Sequence, residues 1–163
     1  MDRVKVLKAV GTTEMDVQQT VIDMAKASVN SKAINLALKL FPISFGNNTY
    51  KQFGNIFYWL LENVTYCFDP VGSEDIKSPD AIFRHKCGDC DDYSVFWLAL
   101  CQRLGLNAIV RMVDWENDGH LDHIYIIALD KNLNRIILDS VTLTYDYETP
   151  HIRQLDRLIT IND

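Results

Sequence analysis

The sequence predicts an α+β domain in which a central buried helix packs on an antiparallel sheet, with a helical segment added at the N-terminus. Three observations support this fold class. Residues 93–104 are apolar nearly all round, as in a helix that is buried on every side. Three β-prone runs follow, over residues 108–113, 123–129 and 135–141. Residues 13–41 instead repeat apolar side chains at helical spacing.

The length and composition are those of one packed domain. The chain has 163 residues, of which 48% are hydrophobic, and a chain of this size buries roughly two thirds of its unfolded surface. We therefore predict a single domain over residues 1–163. It consists of a helical extension (1–48), a core (49–142) and a C-terminal segment (143–163) whose mixed pattern predicts no particular element.

Charge and hydropathy exclude several classes of protein. The 22 acidic residues outnumber the 16 basic ones, for a net charge of -6, which disfavours binding to nucleic-acid phosphates. The most apolar run, Tyr93 to Cys101, is far shorter than the roughly 20 residues that span a bilayer, and the N-terminus carries no secretory signal. We therefore expect a soluble, cytoplasmic protein that binds neither nucleic acid nor membrane. Its four cysteines then fit free thiols better than a disulfide framework.

The elements between the two ends follow from local patterns. Aromatic and aliphatic side chains at a spacing of three and four predict a helix over residues 50–62, followed by the short β-prone piece VTYCF. Residues 69–86 are rich in proline, glycine and serine and predict a long loop. Gly105 stands where the buried helix should be capped at its C-terminus. The last two β-prone runs are separated only by DKNLN, which predicts an antiparallel hairpin.

Cys90 lies in the first turn of the buried helix, within the sequence GDCDD. The unsatisfied N–H groups and the dipole at this end of a helix favour a thiolate and can stabilise an oxyanion. Asp89 is the predicted N-cap, and Asp92 falls in the first turn, where carboxylates are favoured. Because these carboxylates oppose a thiolate, the thiolate needs a cationic partner.

A histidine and an aspartate on the predicted hairpin can supply the partner. His123 begins the second β-prone run and can face the helix N-terminus. Pairing across DKNLN brings the Asp139 carboxylate beside His123, where it can fix the imidazole tautomer. We therefore predict a catalytic triad with Cys90 as nucleophile, His123 as base and Asp139 as orienting acid. His120, in the preceding loop, is the second choice for the base.

Residues 50–142 resemble the core of transglutaminase-like proteins, a branch of the papain-like cysteine hydrolases and acyl transferases. The resemblance rests on YCFDP, CGDCDDYSVFWLALCQRLGLNAIVRMV, HIYIIAL and ILDSV. In that family a G-x-C-x-D type motif opens a long apolar helix, and a histidine strand and an aspartate strand follow. One departure is that Asn134-Arg135-Ile136 stands where the family often has a Gly-Trp pair. The resemblance implies a papain-like fold and attack by Cys90 on a peptide or protein amide through a thioester. We expect no cofactor and no metal ion.

Several alternative functions stay open. Hydrolysis is favoured over transfer to an amine because water needs no acceptor site. The main competitor is a non-catalytic structural or assembly module on the same fold, for example a phage or complex component, with the N-terminal helices as a partner surface. Cys90 would then be a buried structural cysteine. Cys87 and Cys90 also form a Cys-x-x-Cys pair that suits a redox site, and together with His85 and His120 or His123 they suit zinc.

Overall fold

The computed structural model describes residues 2–8, 11–44 and 48–162. Within these ranges the helices are α1 (Glu14–Lys26), α2 (Lys32–Leu40), α3 (Thr49–Asn63), α4 (Pro79–His85) and α5 (Cys90–Arg103). The strands are β1 (Val4–Lys8), β2 (Thr65–Tyr66), β3 (Ser73–Lys77), β4 (Cys87–Gly88), β5 (Asn107–Val113), β6 (His123–Leu129), β7 (Arg135–Leu138) and β8 (Gln154–Ile159).

The largest sheet of the described chain has four strands in the order β7-β6-β5-β8, and every pairing in it is antiparallel. Ile124 and Ile126 of β6 point into the main core, which they share with α5, whereas Tyr125 and Ile127 belong to a smaller cluster on the opposite face. The α+β class, with a buried helix on an antiparallel sheet, is therefore confirmed.

The central helix α5 is capped at its N-terminus as the sequence predicts. The Asp89 carboxylate accepts the Asp92 N–H, and the Asp92 carboxylate accepts the Asp89 N–H at 3.1 Å, forming a capping box. Residues from Asp91 to Cys101 are buried without interruption. At the other end Gly105 has a φ of +69°, a conformation that favours glycine just after a helix. Because both ends are satisfied, an all-buried helix can begin at Cys90.

The predicted loop over residues 69–86 is wrong, since this stretch contains strand β3 and helix α4. Ser78 caps α4 by accepting the Ala81 N–H, and Pro79 occupies the first turn, where its missing N–H is harmless. The Ser-Pro pair therefore starts a helix here. Strand β3 escaped prediction because its sequence SEDIK buries only Ile76 fully.

The two ends of the chain add strands as well as helices. The extension over residues 1–48 contains α1 and α2, and also β1, which pairs antiparallel with β3. Residues 154–159 form β8 on the edge of the main sheet. Buried Arg111 of β5 holds this end in place, since its guanidinium donates to both Asp156 oxygens at 2.7 Å and to Glu148. Among the residues that the structure describes, no helix is both long and apolar enough to cross a membrane.

Candidate active site

Cys90 is the first residue of α5 and is only partly buried. The Ile124 backbone N–H is near enough to the thiol to lower its pKa. Ser94, one turn further along α5, donates its hydroxyl to the Cys90 carbonyl at 2.8 Å and contacts the Ile124 carbonyl at 3.3 Å. These contacts tie the N-terminus of α5 to the first residues of β6, and so they place the thiol beside the histidine strand.

His123 and Asp139 form a buried pair at the end of the β6–β7 hairpin. Their side chains are 3% and 2% exposed, and a hydrogen bond joins His123 Nε2 to Asp139 Oδ2 at 2.7 Å. Asp139 Oδ1 accepts the Val141 N–H. The register aligns Ile126 with Leu138, so Asp139 falls one residue beyond β7, diagonally opposite His123. Since Nε2 is bound to Asp139, Nδ1 is the nitrogen that can exchange a proton with a thiol.

Cys90 and His123 line one cavity of about 250 Å³, whereas Asp139 stands behind the histidine. The start of α1 forms part of the wall, which gives the N-terminal extension a place in the site. The lining also includes several carboxylates, contributed by Glu14, Glu74, Asp91 and Asp122. The sequence predicts none of these cavity acids except the neighbours of Cys90. His120, the second choice for the base, is exposed in the loop before β6.

Trp115, which the sequence analysis did not single out, stacks on His123. The ring centroids are 3.9 Å apart and the planes differ by 6°. The Asp122 carboxylate accepts the Trp115 backbone N–H at 2.9 Å. The residues meet because the β5–β6 connection folds back on itself, and a local pattern in the sequence does not reveal such a contact.

The electrostatics of the thiol are unfavourable to a thiolate. Burial raises the pKa of Cys90 well above its ordinary value, and the nearby charges of Asp91 and Asp89 add to the effect, while the Ile124 N–H opposes it. Burial also raises the pKa of Asp91 to about 7. Burial is thus the main cause of the raised pKa, and the flanking acids add to it in the direction that the sequence predicts.

Three carboxylates of the described residues, those of Asp69, Asp89 and Asp91, are close enough to hold one metal ion, with oxygens within 4.8 Å of one another. Such oxygens suit a hard cation such as Mg²⁺ or Ca²⁺. Asp69 Oδ1 is buried without a hydrogen-bond donor among the described residues and lies 3.7 Å from Lys77 Nζ. Local sequence patterns do not predict this cluster because Asp69 lies 20 residues before Asp89.

A disulfide joins Cys67 to Cys87, so the expectation of free thiols throughout is wrong. The parallel pairing of β2 with β4 brings the two cysteines together, with their Cα atoms 5.7 Å apart. The free cysteines are Cys90 and buried Cys101. Cys87 is therefore a partner of Cys67 and not of Cys90, which removes it from the redox pair and from the zinc ligand set.

Comparison with known proteins gives a consistent result. The family described as the transglutaminase-like superfamily matches residues 42–126, just over half of the chain. A solved structure of a proposed cysteine protease from Cytophaga hutchinsonii is 17% identical with a TM-score of 0.53, covering 97% of this chain and 63% of that one. A transglutaminase structure is 13% identical with a TM-score of 0.48, covering 90% and 37%. The chain thus spans less than two thirds of either structure. No curated protein matches the sequence.

Proposed function

The chain belongs to the transglutaminase-like superfamily, and we propose that it is a cysteine-dependent hydrolase or acyl transferase that acts on peptide or protein amide bonds. One observation carries the proposal. Cys90, at a helix N-terminus, and His123 line the same cavity, and His123 is hydrogen-bonded to buried Asp139. A nucleophile, a base and a group that orients the base are the three parts that covalent acyl chemistry requires.

The first half of the reaction forms a thioester. His123 Nδ1 takes the proton of Cys90, and the resulting thiolate attacks the carbonyl carbon of the substrate amide. The N–H groups at the start of α5 stabilise the oxyanion. The C–N bond then breaks as the imidazolium returns its proton to the leaving amine.

The second half regenerates the thiol. His123 removes a proton from water, or from an acceptor amine, which attacks the thioester carbon. The C–S bond breaks, and the proton passes from His123 to the departing sulfur. Water gives a carboxylic acid, and an amine gives a new amide. We favour hydrolysis because water needs no dedicated acceptor site.

Asp139 supports both halves by stabilising the imidazolium. Because the pKa of Cys90 is raised, its thiolate is costly to form. The pair of Cys90 thiolate and His123 imidazolium therefore needs a carboxylate that stabilises the imidazolium. The Asp139 carboxylate is bound directly to His123, in surroundings from which water is excluded, where such an interaction is stronger than in bulk solvent.

The proposal is tested by assaying the wild type and Cys90→Ala against a panel of peptides, with and without amine acceptors. Mass spectrometry identifies released ammonia or amine, new carboxylates and new amides. We expect turnover by the wild type and by Cys101→Ala, which removes the other free thiol, and no turnover by Cys90→Ala. Turnover that survives in Cys90→Ala contradicts the assigned nucleophile.

A second candidate, a non-catalytic structural or assembly module, is favoured by the electrostatics of the thiol. Burial, with the flanking acids, raises the pKa of Cys90 and so disfavours the thiolate, as for a structural cysteine. Thiol reactivity separates the two candidates. For an enzyme, iodoacetamide at neutral pH labels Cys90 much faster than buried Cys101, and the difference depends on His123. For a module, the greater exposure of Cys90 alone sets the difference between the two rates, and His123→Gln changes nothing.

A further inference from the structure

We propose that Trp115 is a positioning residue that fixes the plane of the His123 ring. The consequence for catalysis rests on the proposed function, whereas the contact itself does not. Trp115 lies in the loop between β5 and β6 and touches neither Cys90 nor the carboxylate of Asp139 among the described contacts. Its effect therefore passes through the histidine.

A hydrogen bond alone does not orient an imidazole ring. The bond from His123 Nε2 to Asp139 Oδ2 holds one edge of the ring but permits rotation about the line that joins the two atoms. The parallel indole at 3.9 Å blocks this rotation, because any tilt drives one ring into the other. The hydrogen bond to Asp139 and the stack on Trp115 together fix the orientation of His123 Nδ1.

The indole makes this contact although its own polar group is unsatisfied. Trp115 Nε1 is buried and has no hydrogen-bond partner among the described residues. A buried donor without a partner is costly, so the placement of the indole is not explained by a bond that the indole makes. The indole instead packs against the small apolar cluster that contains Tyr125 and Ile127, and there it stacks on His123.

The loop that carries Trp115 is tied at both ends. The carboxylate of buried Asp114 accepts the backbone N–H groups of Asp118 at 3.0 Å and Gly119 at 2.7 Å. Asp122 accepts the Trp115 N–H, and its own N–H donates to the Val113 carbonyl at 3.0 Å. These bonds fix the backbone on either side of the indole, so Trp115 acts as a rigid wall.

The groups that face His123 come from several elements. Asp139 binds it from the end of β7, the Tyr125 ring lies 5.7 Å away on β6, and Cys90 of α5 shares its cavity. The remaining charged groups are the acids that line that cavity, Glu14, Glu74, Asp91 and Asp122. Trp115 carries no charge and covers one face of the imidazole.

The first test uses tryptophan fluorescence as a direct report on the stack. Protonation of an imidazole places a positive charge against a stacked indole face, so the emission is recorded as the pH is lowered. We expect the emission of the wild type to change with pH. This change should be absent from Trp115→Phe, which keeps Trp59 and Trp97, and from His123→Gln, which keeps all three tryptophans. A wild-type signal that is the same in either variant overturns the proposal. This test does not require Cys90 to be a nucleophile.

The second test separates a positioning role from volume filling. Trp115→Phe keeps a flat face against His123, whereas Trp115→Leu keeps apolar bulk without a plane. We expect the iodoacetamide labelling rate of Cys90 to fall about tenfold in Trp115→Leu and about twofold in Trp115→Phe, because a misplaced base loses proximity. Unfolding of both variants in urea controls for lost stability.

The outcomes separate this inference from the proposed function. If wild-type labelling of Cys90 is insensitive to His123→Gln, the proposed function fails, and the fluorescence test decides the stack on its own. If labelling depends on His123 but Trp115→Leu labels like the wild type, the positioning role of Trp115 is wrong. A rate restored by phenylalanine and not by leucine supports it.

Discussion

The two sides of the candidate site differ in how well their groups are satisfied. On the base side, His123 is bonded to Asp139 and stacked on Trp115, and both Asp139 oxygens have donors. On the nucleophile side, burial and neighbouring acids raise the pKa values of Cys90 and Asp91. The base side is thus preorganised, whereas the nucleophile side concentrates negative charge.

Few positive charges lie near the acids on the nucleophile side. Lys77 donates to Asp92 from both its backbone N–H, at 2.6 Å, and its ammonium, at 3.1 Å. The same ammonium lies 3.7 Å from Asp69, and no ion pair with Lys77 is described for Asp91. A single lysine therefore serves a group of acids around the start of α5. His123 lies on the other wall of the cavity, so under the proposed function the thiolate takes its counter-charge from the base side.

Breaking the base side should have the largest effect. Asp139→Asn keeps the size of the side chain but removes the charge that stabilises the imidazolium, and loss of the orienting acid in a triad costs about a hundredfold or more in rate. We expect a loss of this size in turnover, or in Cys90 labelling where no substrate is known. Glu116→Gln, on the exposed surface of the β5–β6 loop, is the control. A rate within twofold of the wild type contradicts the role of Asp139.

Removing the disulfide on the nucleophile side should lower the free energy of unfolding. The Cys67–Cys87 disulfide closes a loop with a sequence separation of 20, and a loop of that length contributes about 3 kcal/mol in the chain-entropy account. We expect Cys67→Ser and Cys87→Ser to lower the free energy of unfolding in urea by about this amount. The wild type in reducing agent should match them, and equal stability of oxidised and reduced wild type refutes the contribution.

Removing the Asp91 carboxylate should reduce the excess of negative charge that distinguishes the nucleophile side from the base side. Asp91→Asn deletes one of the charges that raise the pKa of Cys90, so a larger fraction of the thiol is ionised at a given pH. We expect labelling of Cys90 to become several times faster and its rise with pH to begin at lower pH. Glu62→Gln, at the exposed end of α3, should leave the profile unchanged. An unaltered Asp91→Asn profile means that Asp91 does not act on the thiol.

The smallest effect should be on the pH dependence of stability. The folded-state pKa of Asp91 is about 7, above its ordinary value of 3.8, so the folded chain holds this proton more tightly than the unfolded chain. The stabilisation is present below about pH 4 and is lost as pH rises through about 7. Urea unfolding of the wild type should therefore show stability falling over this range, less steeply in Asp91→Asn. If the free energy of unfolding changes with pH equally in the wild type and in Asp91→Asn, the raised pKa of Asp91 is contradicted.

The sequence was most informative where apolar periodicity and capping act within a few residues. The helix around Tyr93 to Cys101, the N-cap at Asp89, the strand from His123 and the DKNLN hairpin were all predicted, because each depends on neighbours along the chain. The transglutaminase-like resemblance followed from the same stretches. These local signals also placed Asp139 beside His123, since a short hairpin leaves little choice of partner.

Tertiary structure alone decided what distant segments do to the site. The stack of Trp115 on His123 and the approach of Asp69 to Asp89 join residues 8 and 20 positions apart in the numbering, through connections whose path no periodicity records. The Cys67–Cys87 disulfide likewise needs β2 to meet β4. The sequence alone determined that a thiol would stand at the start of a buried helix, because helix capping and apolar patterning are local. The fold decided how much negative charge would surround that thiol, because burial and through-space electrostatics depend on where every packed element lies.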